Sequence, residues 1–235
     1  PGLHSLNELT FEDPSVNNLV ITADEYSFYE ISGDVADALI RFNGAQNVIF
    51  GTPYDYVWGG QQFFVENRNP SYPTLQLTNG ASDNRFAGCY FVGSNSNPAS
   101  GVVVLGADNL NEGNNNNTFF NNIFGMGNNT QGYPANLFYS AGNPSNPNSG
   151  NSLAYNMFNQ FGSNALYVNG NGNGSFWRIW ENLFNFPGGA PTANKTFINF
   201  VPGINSLENE LYYNYIGYGW YYAETLVING AGFVK

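Results

Sequence analysis

The side chains that carry most enzyme chemistry are scarce in this chain of 235 residues, which holds one histidine, His4, and one cysteine, Cys89. A Ser-His-Asp triad needs a positioned imidazole, and zinc sites combine several Cys and His ligands, so neither is expected. A lone cysteine cannot form a disulfide within the chain, and we expect Cys89 to be a small buried residue. No metal and no other cofactor is predicted.

Carboxylates are more numerous, but their spacing does not suit a hydrolase. Glycoside hydrolysis needs two carboxylates about 5 to 10 Å apart across the scissile bond. Glu181 and Glu210 lie within repeated strands, one repeat apart, at different positions of the repeat. Acid pairs such as Asp24-Glu25 and Asp34/Asp37 lie near the N-terminus and indicate solvated charge. The sequence therefore predicts a protein without enzymatic activity.

The amino-acid composition of the chain is typical of a folded β-rich protein. The chain contains 40 Asn and 28 Gly, interleaved with 20 Phe, 16 Tyr and 4 Trp. Disordered chains hold few aromatics, and Asn and Gly are poor helix formers. Six Lys plus Arg against seventeen Asp plus Glu give a formal charge of −11, which excludes a basic surface for nucleic acid. No apolar run is long enough for a membrane span, so neither nucleic acid nor membrane is a predicted partner.

A repeat organises the chain. The pattern Asn-x-apolar-x-x-Asn-x-apolar recurs, and its second Asn position falls at intervals of 33, 34, 26 and 32 residues. A second strand type, usually ending near Gly, precedes each copy, as in "LQLTNG" and "ALYVNG". Two strand types in fixed alternation, without a helical period between them, predict an all-β parallel β-helix of about six to seven coils.

Stacked coils place like residues over like at the inter-strand spacing of about 4.8 Å. The side-chain amide of one coil can then bond the amide or the backbone of the next coil. The predicted ladder consists of Asn122, Asn156, Asn182 and Asn214, with Cys89 as its apolar terminal member. Residues 38–235 are predicted to form the β-helix. Residues 1–37 fit no repeat copy and are predicted to cap the first coil or to add a strand to a neighbouring subunit.

The outer surface supplies the candidate interaction residues. Side chains alternate along a strand, so the residue after each inward position points outward, and a monomer rarely leaves a contiguous apolar stripe in water. A loop of the same chain or a partner is expected to cover it. The predicted assembly face consists of Tyr90, Ile123, Met157, Leu183, Tyr215, Phe120, Trp180 and Tyr212. Flat aromatic rings also pack well against sugar rings, and the candidate glycan contacts are Trp58, Trp177, Trp220, Tyr221 and Tyr222. The alternative is that about half of the candidate aromatics are core or interface residues, because aromatics are favoured in strands.

The repeats resemble a known group of proteins. Strands such as "LQLTNG" and "ALIRFNGAQNV" alternate with "NNTFFNNIFG" and "NSLAYNMFNQFG", joined by "YSAGNPSNPNSGN". In this they resemble the right-handed parallel β-helix repeats of large secreted surface proteins of Bacteroidetes bacteria, over about residues 35 to 230. The resemblance implies a right-handed coil. It agrees with the low charge and scarce Lys, which favour an extracellular or cell-surface location.

The sequence favours a structural role. We expect a non-enzymatic extracellular subunit that stacks with copies of itself into a surface filament or sheath, through the aromatic outer columns and uncapped coil ends. Many aromatics and few charges are typical of permanent interfaces. The alternative is a glycan-binding adhesin module. A polysaccharide lyase or hydrolase is the least favoured of the three functions.

Overall fold

Short runs of apolar and β-branched residues, separated by Asn and Gly, form the strands of this protein. The computed structural model describes residues 4–5, 9–11, 18–23, 27–52, 62–107, 112–127, 132–185, 195–217 and 224–228. Within these ranges the chain winds into a parallel β-solenoid, which confirms the predicted fold. In the described part of the chain, one 3-10 turn, Gly170–Gly172, interrupts the strands.

Each complete coil contributes three short strands. In chain order they are β1 (His4–Ser5), β2 (Leu9–Phe11), β3 (Val20–Ile21), β4 (Tyr29–Gly33), β5 (Ile40–Asn43), β6 (Ile49–Gly51), β7 (Phe63–Asn67), β8 (Leu75–Thr78), β9 (Arg85–Ala87), β10 (Cys89–Gly93), β11 (Val103–Leu105), β12 (Thr118–Phe120), β13 (Ile123–Met126), β14 (Asn136–Ser140), β15 (Ser152–Ala154), β16 (Met157–Asn159), β17 (Asn164–Asn169), β18 (Arg178–Trp180), β19 (Leu183–Asn185), β20 (Lys195–Val201), β21 (Glu210–Tyr212), β22 (Tyr215–Ile216) and β23 (Glu224–Ile228).

The strands stack into three parallel sheets that run the length of the solenoid. Sheet 1 has the order β1-β4-β7-β10-β13-β16-β19-β22, and sheet 2 has the order β2-β5-β8-β11-β14-β17-β20-β23. Sheet 3 has the order β3-β6-β9-β12-β15-β18-β21. Every third strand therefore pairs with the strand one coil later, and equivalent residues of successive coils form straight columns along the axis.

The repeated Asn motif spans two strands and not one. Its first half forms a strand of sheet 3 and its second half a strand of sheet 1, with a corner between them. At each of these corners one residue has a positive φ: Gly88 (63°), Asn121 (52°), Tyr155 (56°), Glu181 (52°) and Tyr213 (53°). This left-handed conformation suits Gly and Asn and turns the chain sharply, so the two halves of one motif face different directions.

The interior is a column of stacked phenylalanines. Phe124 stacks on Phe158 with ring centroids 4.8 Å apart, and Phe158 stacks on Phe184 at 4.7 Å. Phe86 and Phe119 stack in the same way from sheet 3, at 4.9 Å. All five side chains are fully buried. Their burial is the main hydrophobic stabilisation of a fold whose coils are otherwise rich in polar residues.

The strands that the structure describes within residues 1–37 belong to the same three sheets as the later strands. Strand β2 pairs in parallel with β5, β3 pairs with β6, and β4 pairs with β7, in the register of the later coils. Asn18 has a positive φ of 62° immediately before Leu19, at the corner where Asn47 and Asp83 have the same conformation in the next two coils. The described strands β2, β3 and β4 are thus part of the solenoid. Their sequence shows no clear copy of the repeat because it lacks the paired Asn residues of the motif.

Candidate functional site

The first structural site is the Asn ladder at the corner between sheets 3 and 1. The Asn156 Oδ1 atom accepts hydrogen bonds from the backbone N–H of Asn122 at 2.9 Å and from its Nδ2 at 3.2 Å. Asn182 Oδ1 accepts the equivalent pair from Asn156, and Asn214 Oδ1 accepts it from Asn182. The backbone N–H of Cys89 donates to Asn122 Oδ1 at 3.0 Å, so Cys89 takes its predicted place next to Asn122 in the column.

Each ladder amide also bonds the backbone of the preceding coil. The Nδ2 groups of Asn122, Asn156 and Asn182 donate to the carbonyl oxygens of Phe86, Phe119 and Leu153, each at 2.9 Å. A buried amide that lacks partners destabilises a fold, whereas one with all its partners fixes the register of the strands around it. The ladder therefore holds each coil over the next.

A second ladder uses the first Asn of the motif, for which no role was predicted. Asn84 donates from its backbone N and from Nδ2 to Asn117 Oδ1, and Asn117 donates in the same way to Asn151 Oδ1. A third, shorter set joins Asn114 to Asn148 Oδ1 through the same two donors. The regular recurrence of that first Asn was the sequence signal for the second ladder. Asn114 lies in a run of four Asn, where periodicity gives no information.

Trp177 occupies the place of an Asn in the second ladder, and its prediction as a glycan contact is wrong. The side chain is fully buried, and its Nε1 donates to the carbonyl oxygen of Asn148 at 3.1 Å. Its backbone N–H donates to Asn209 Oδ1 at 3.0 Å, so the column continues past it. The inward direction of this corner position, which the other coils fill with Asn, places the indole in the core.

The outer face of sheet 1 carries an apolar row that we name the sheet 1 stripe. Its members pair in register from coil to coil and are half-buried or exposed: Phe64, Tyr90, Ile123, Met157, Leu183 and Tyr215. Phe28, which is 50% exposed, lies beside the row with its ring centroid 6.4 Å from Phe64 and 6.2 Å from Tyr90. Five of the predicted assembly residues therefore form one continuous surface.

The other three predicted assembly residues belong to a different face. Phe120, Trp180 and Tyr212 lie on the outside of sheet 3, because the corner at positions 121, 155, 181 and 213 separates them from sheet 1. Trp180 and Tyr212 stack with centroids 5.8 Å apart and an interplanar angle of 10°. The predicted single assembly face is thus two faces.

Phe120 is not an exposed contact. It is 8% exposed, because the Arg85 guanidinium lies 4.9 Å from its ring centroid and the Tyr155 ring packs against it at 5.4 Å. Tyr155 also packs edge-on against Trp180 at 4.8 Å. Side chains of the same chain therefore bury Phe120, and the part of this row that stays accessible begins at Trp180.

The remaining predictions differ in what the structure says about them. Trp58, Trp220, Tyr221 and Tyr222 lie outside the described residues. Cys89 is fully buried, and burial raises the pKa of its thiol well above the ordinary range, as expected for a packing residue.

In the described ranges no group of three or more His, Cys, Asp or Glu side chains is placed to hold a metal ion. Those ranges also contain no helix long and apolar enough to cross a membrane.

Comparison of the chain with family models, with curated proteins and with solved structures found no match.

Proposed function

We propose that this protein is an extracellular, non-enzymatic structural subunit whose solenoids pack side by side through the sheet 1 stripe. The observation that supports the proposal is the register of Tyr90, Ile123, Met157, Leu183 and Tyr215, which lie directly over one another in consecutive coils. Contiguous apolar surface of this kind on a soluble protein marks an interaction site.

The periodicity of the stripe favours a second copy as the partner. Its side chains repeat at the inter-strand spacing of about 4.8 Å, and a second copy presents a row with the same repeat. Two such rows can interdigitate along their full length, whereas an unrelated surface would match only a few positions. Tyr and Met are also among the residues enriched at protein interfaces.

The ladders suit this role because they make the subunit rigid. A row of side chains can match its copy over several coils only if the coils keep their register, and the two Asn ladders fix that register on either side of sheet 3. The extracellular location is supported by the low content of charged residues, 10%, and by the resemblance of the repeats to secreted β-helix proteins.

Net charge should oppose the association and give it a recognisable signature. The chain carries a formal charge of −11, so copies repel one another at low ionic strength. Salt screens this repulsion and leaves the apolar contact intact. We expect sedimentation velocity to show species that grow with protein concentration, and that grow further when sodium chloride is added.

Two substitutions assign the association to the stripe. Met157→Glu places a carboxylate in the middle of the row and should yield a monomer at all concentrations. Ile204→Glu is the matched control, because Ile204 is 72% exposed and lies outside the stripe. A wild-type chain that stays monomeric throughout, or an Ile204→Glu variant that dissociates as fully as Met157→Glu, would contradict the proposal.

A further inference from the structure

The outside of sheet 3 carries a cleft that the proposed structural function does not use. It encloses about 540 Å³ and is lined by Asn116, Thr118, Gly150, Ser152, Phe176, Arg178, Trp180 and Tyr212. This volume is in the range of small-molecule and saccharide-sized pockets. We name it the sheet 3 cleft.

The cleft arises where small residues of two neighbouring coils lie beside a coil of large ones. Strand β15 and its corner present Gly150, Ser152 and Ala154, whereas the next coil presents Phe176, Arg178 and Trp180. On the other side, Thr118 pairs with Ser152, so the floor of the cleft spans two adjacent strands. Tyr155 packs between Phe120 and Trp180 on the same side of the solenoid.

The walls and the floor of the cleft differ in chemistry. Phe176 is 53% exposed at one side, and the stacked pair Trp180 and Tyr212 forms the other side. The floor between them holds the hydroxyl groups of Thr118 and Ser152, neither of which makes a hydrogen bond within the described part of the chain. Apolar walls with a few convergent donors and acceptors are the arrangement that fixes a small polar ligand in one orientation.

The charges in the cleft are paired. Arg178 Nε lies 3.4 Å from Glu210 Oε2, one coil further along the axis. The guanidinium therefore has its counter-ion, while 64% of the Arg178 side chain remains accessible to donate hydrogen bonds. With the cation already neutralised and a formal charge of −11 on the whole chain, the cleft favours an uncharged ligand over an anionic one.

We propose that the sheet 3 cleft binds an uncharged oligosaccharide, or an uncharged segment of a polysaccharide. A sugar ring has a C–H-rich face that packs on an aromatic ring and an edge of hydroxyl groups that need hydrogen-bond partners. Phe176 and Trp180 supply the two aromatic walls, and the hydroxyls of Thr118 and Ser152 with the Arg178 guanidinium supply the partners. A protein with both faces would join copies through sheet 1 and a glycan through sheet 3.

The experiment is a titration of the purified chain with cellohexaose, with maltohexaose and with an oligogalacturonate of the same length. Calorimetry and tryptophan fluorescence measure binding in each titration. We expect one of the two neutral hexaoses to bind and the galacturonate not to bind. Phe176→Ala should weaken binding about tenfold, as expected for one lost aromatic contact. Ser152→Tyr, which fills the floor, should abolish binding.

Phe28→Ala is the matched control, because Phe28 has nearly the same exposure as Phe176 and lies beside sheet 1. It should bind the hexaose as the wild type does, and the thermal unfolding of every variant shows whether it is folded. Binding of the galacturonate alone, binding of none of the three saccharides, or equal loss in Phe28→Ala and Phe176→Ala would overturn the proposal. None of these results depends on the oligomeric state, so the cleft and the stripe are tested separately.

Discussion

Asn156 Oδ1 lies 2.9 Å from the backbone nitrogen of Asn122 and 3.2 Å from its Nδ2, so one amide oxygen joins two coils through two hydrogen bonds. Asn156 Nδ2 donates in turn to Phe119 O at 2.9 Å and to Asn182 Oδ1 at 3.0 Å. One fully buried side chain thus connects residues from three consecutive coils. Removal of this side chain leaves several buried groups without partners at once.

The Asn156→Ala variant should therefore be strongly destabilised. Buried polar groups without partners cost about 1 to 3 kcal/mol each, and we expect a total loss of about 3 to 5 kcal/mol in the free energy of unfolding. Asn205→Ala is the control, since Asn205 is exposed and makes no hydrogen bond within the described ranges. It should change stability by less than about 0.5 kcal/mol. Urea midpoints measure both, and equal midpoints for the two variants would show that the ladder does not hold the coils.

A second prediction concerns two glycines that share one backbone conformation. Gly142 and Gly170 have φ values of 61° and 68°, so alanine pays the cost of a left-handed conformation, about 1 to 2 kcal/mol, at either position. A Cβ at Gly142 would also lie 1.6 Å from the carbonyl oxygen of Gly172, whereas a Cβ at Gly170 meets nothing within 4 Å.

Gly142→Ala should accordingly cost about 4 kcal/mol or more, and Gly170→Ala only the conformational term. The difference between the two measures how tightly adjacent coils approach at this corner. Thermal unfolding measures the stability of both variants. A Gly170→Ala variant as unstable as Gly142→Ala would show that the coils do not approach closely at Gly142.

A third prediction uses the buried thiol. Burial raises the pKa of Cys89, so in the folded state the thiol stays protonated at pH 8 and has no access to solvent. Because the unfolded chain ionises near the ordinary thiol pKa, this group lowers stability as the pH rises above that value and has no effect well below it. We expect Ellman's reagent to label the chain at pH 8 only in denaturant, and rapid labelling of the native protein would contradict the burial.

Much of the architecture could be predicted from the spacing of the sequence. The spacing between successive members of the series Asn122, Asn156, Asn182 and Asn214 predicts the length of one coil. The residue after each of these Asn residues is predicted to point outward, and the structure places these residues in one row on sheet 1. The spacing predicts the columns because parallel strands in register place equivalent positions of the sequence repeat directly over one another.

The corners could not be predicted in the same way. Tyr155, Glu181 and Tyr213 adopt a positive φ, which is uncommon for their residue types. The sequence therefore does not indicate the turn between sheets 3 and 1, and it predicts one face where the structure has two. Trp177 is fully buried although the sequence predicts an exposed contact, because an aromatic residue stands where the other coils have Asn and its neighbours do not show that this corner points inward. The sheet 3 cleft depends on small and large residues in neighbouring coils, a relationship that appears only when the coils are aligned.

The most direct test of the central claim is a cross-linking measurement on the Met157→Cys chain with a short bis-maleimide. Cys89 is fully buried and should not react in the native protein, so the introduced thiol is the reactive one. Because the sheet 1 stripe is proposed to face its copy, Met157→Cys should give a covalent dimer on a denaturing gel, and Ile204→Cys, more exposed than Met157 but outside the stripe, should remain monomeric. Equal dimer yields from the two variants, or no dimer from Met157→Cys at concentrations where the chain associates, would contradict the assignment of this face.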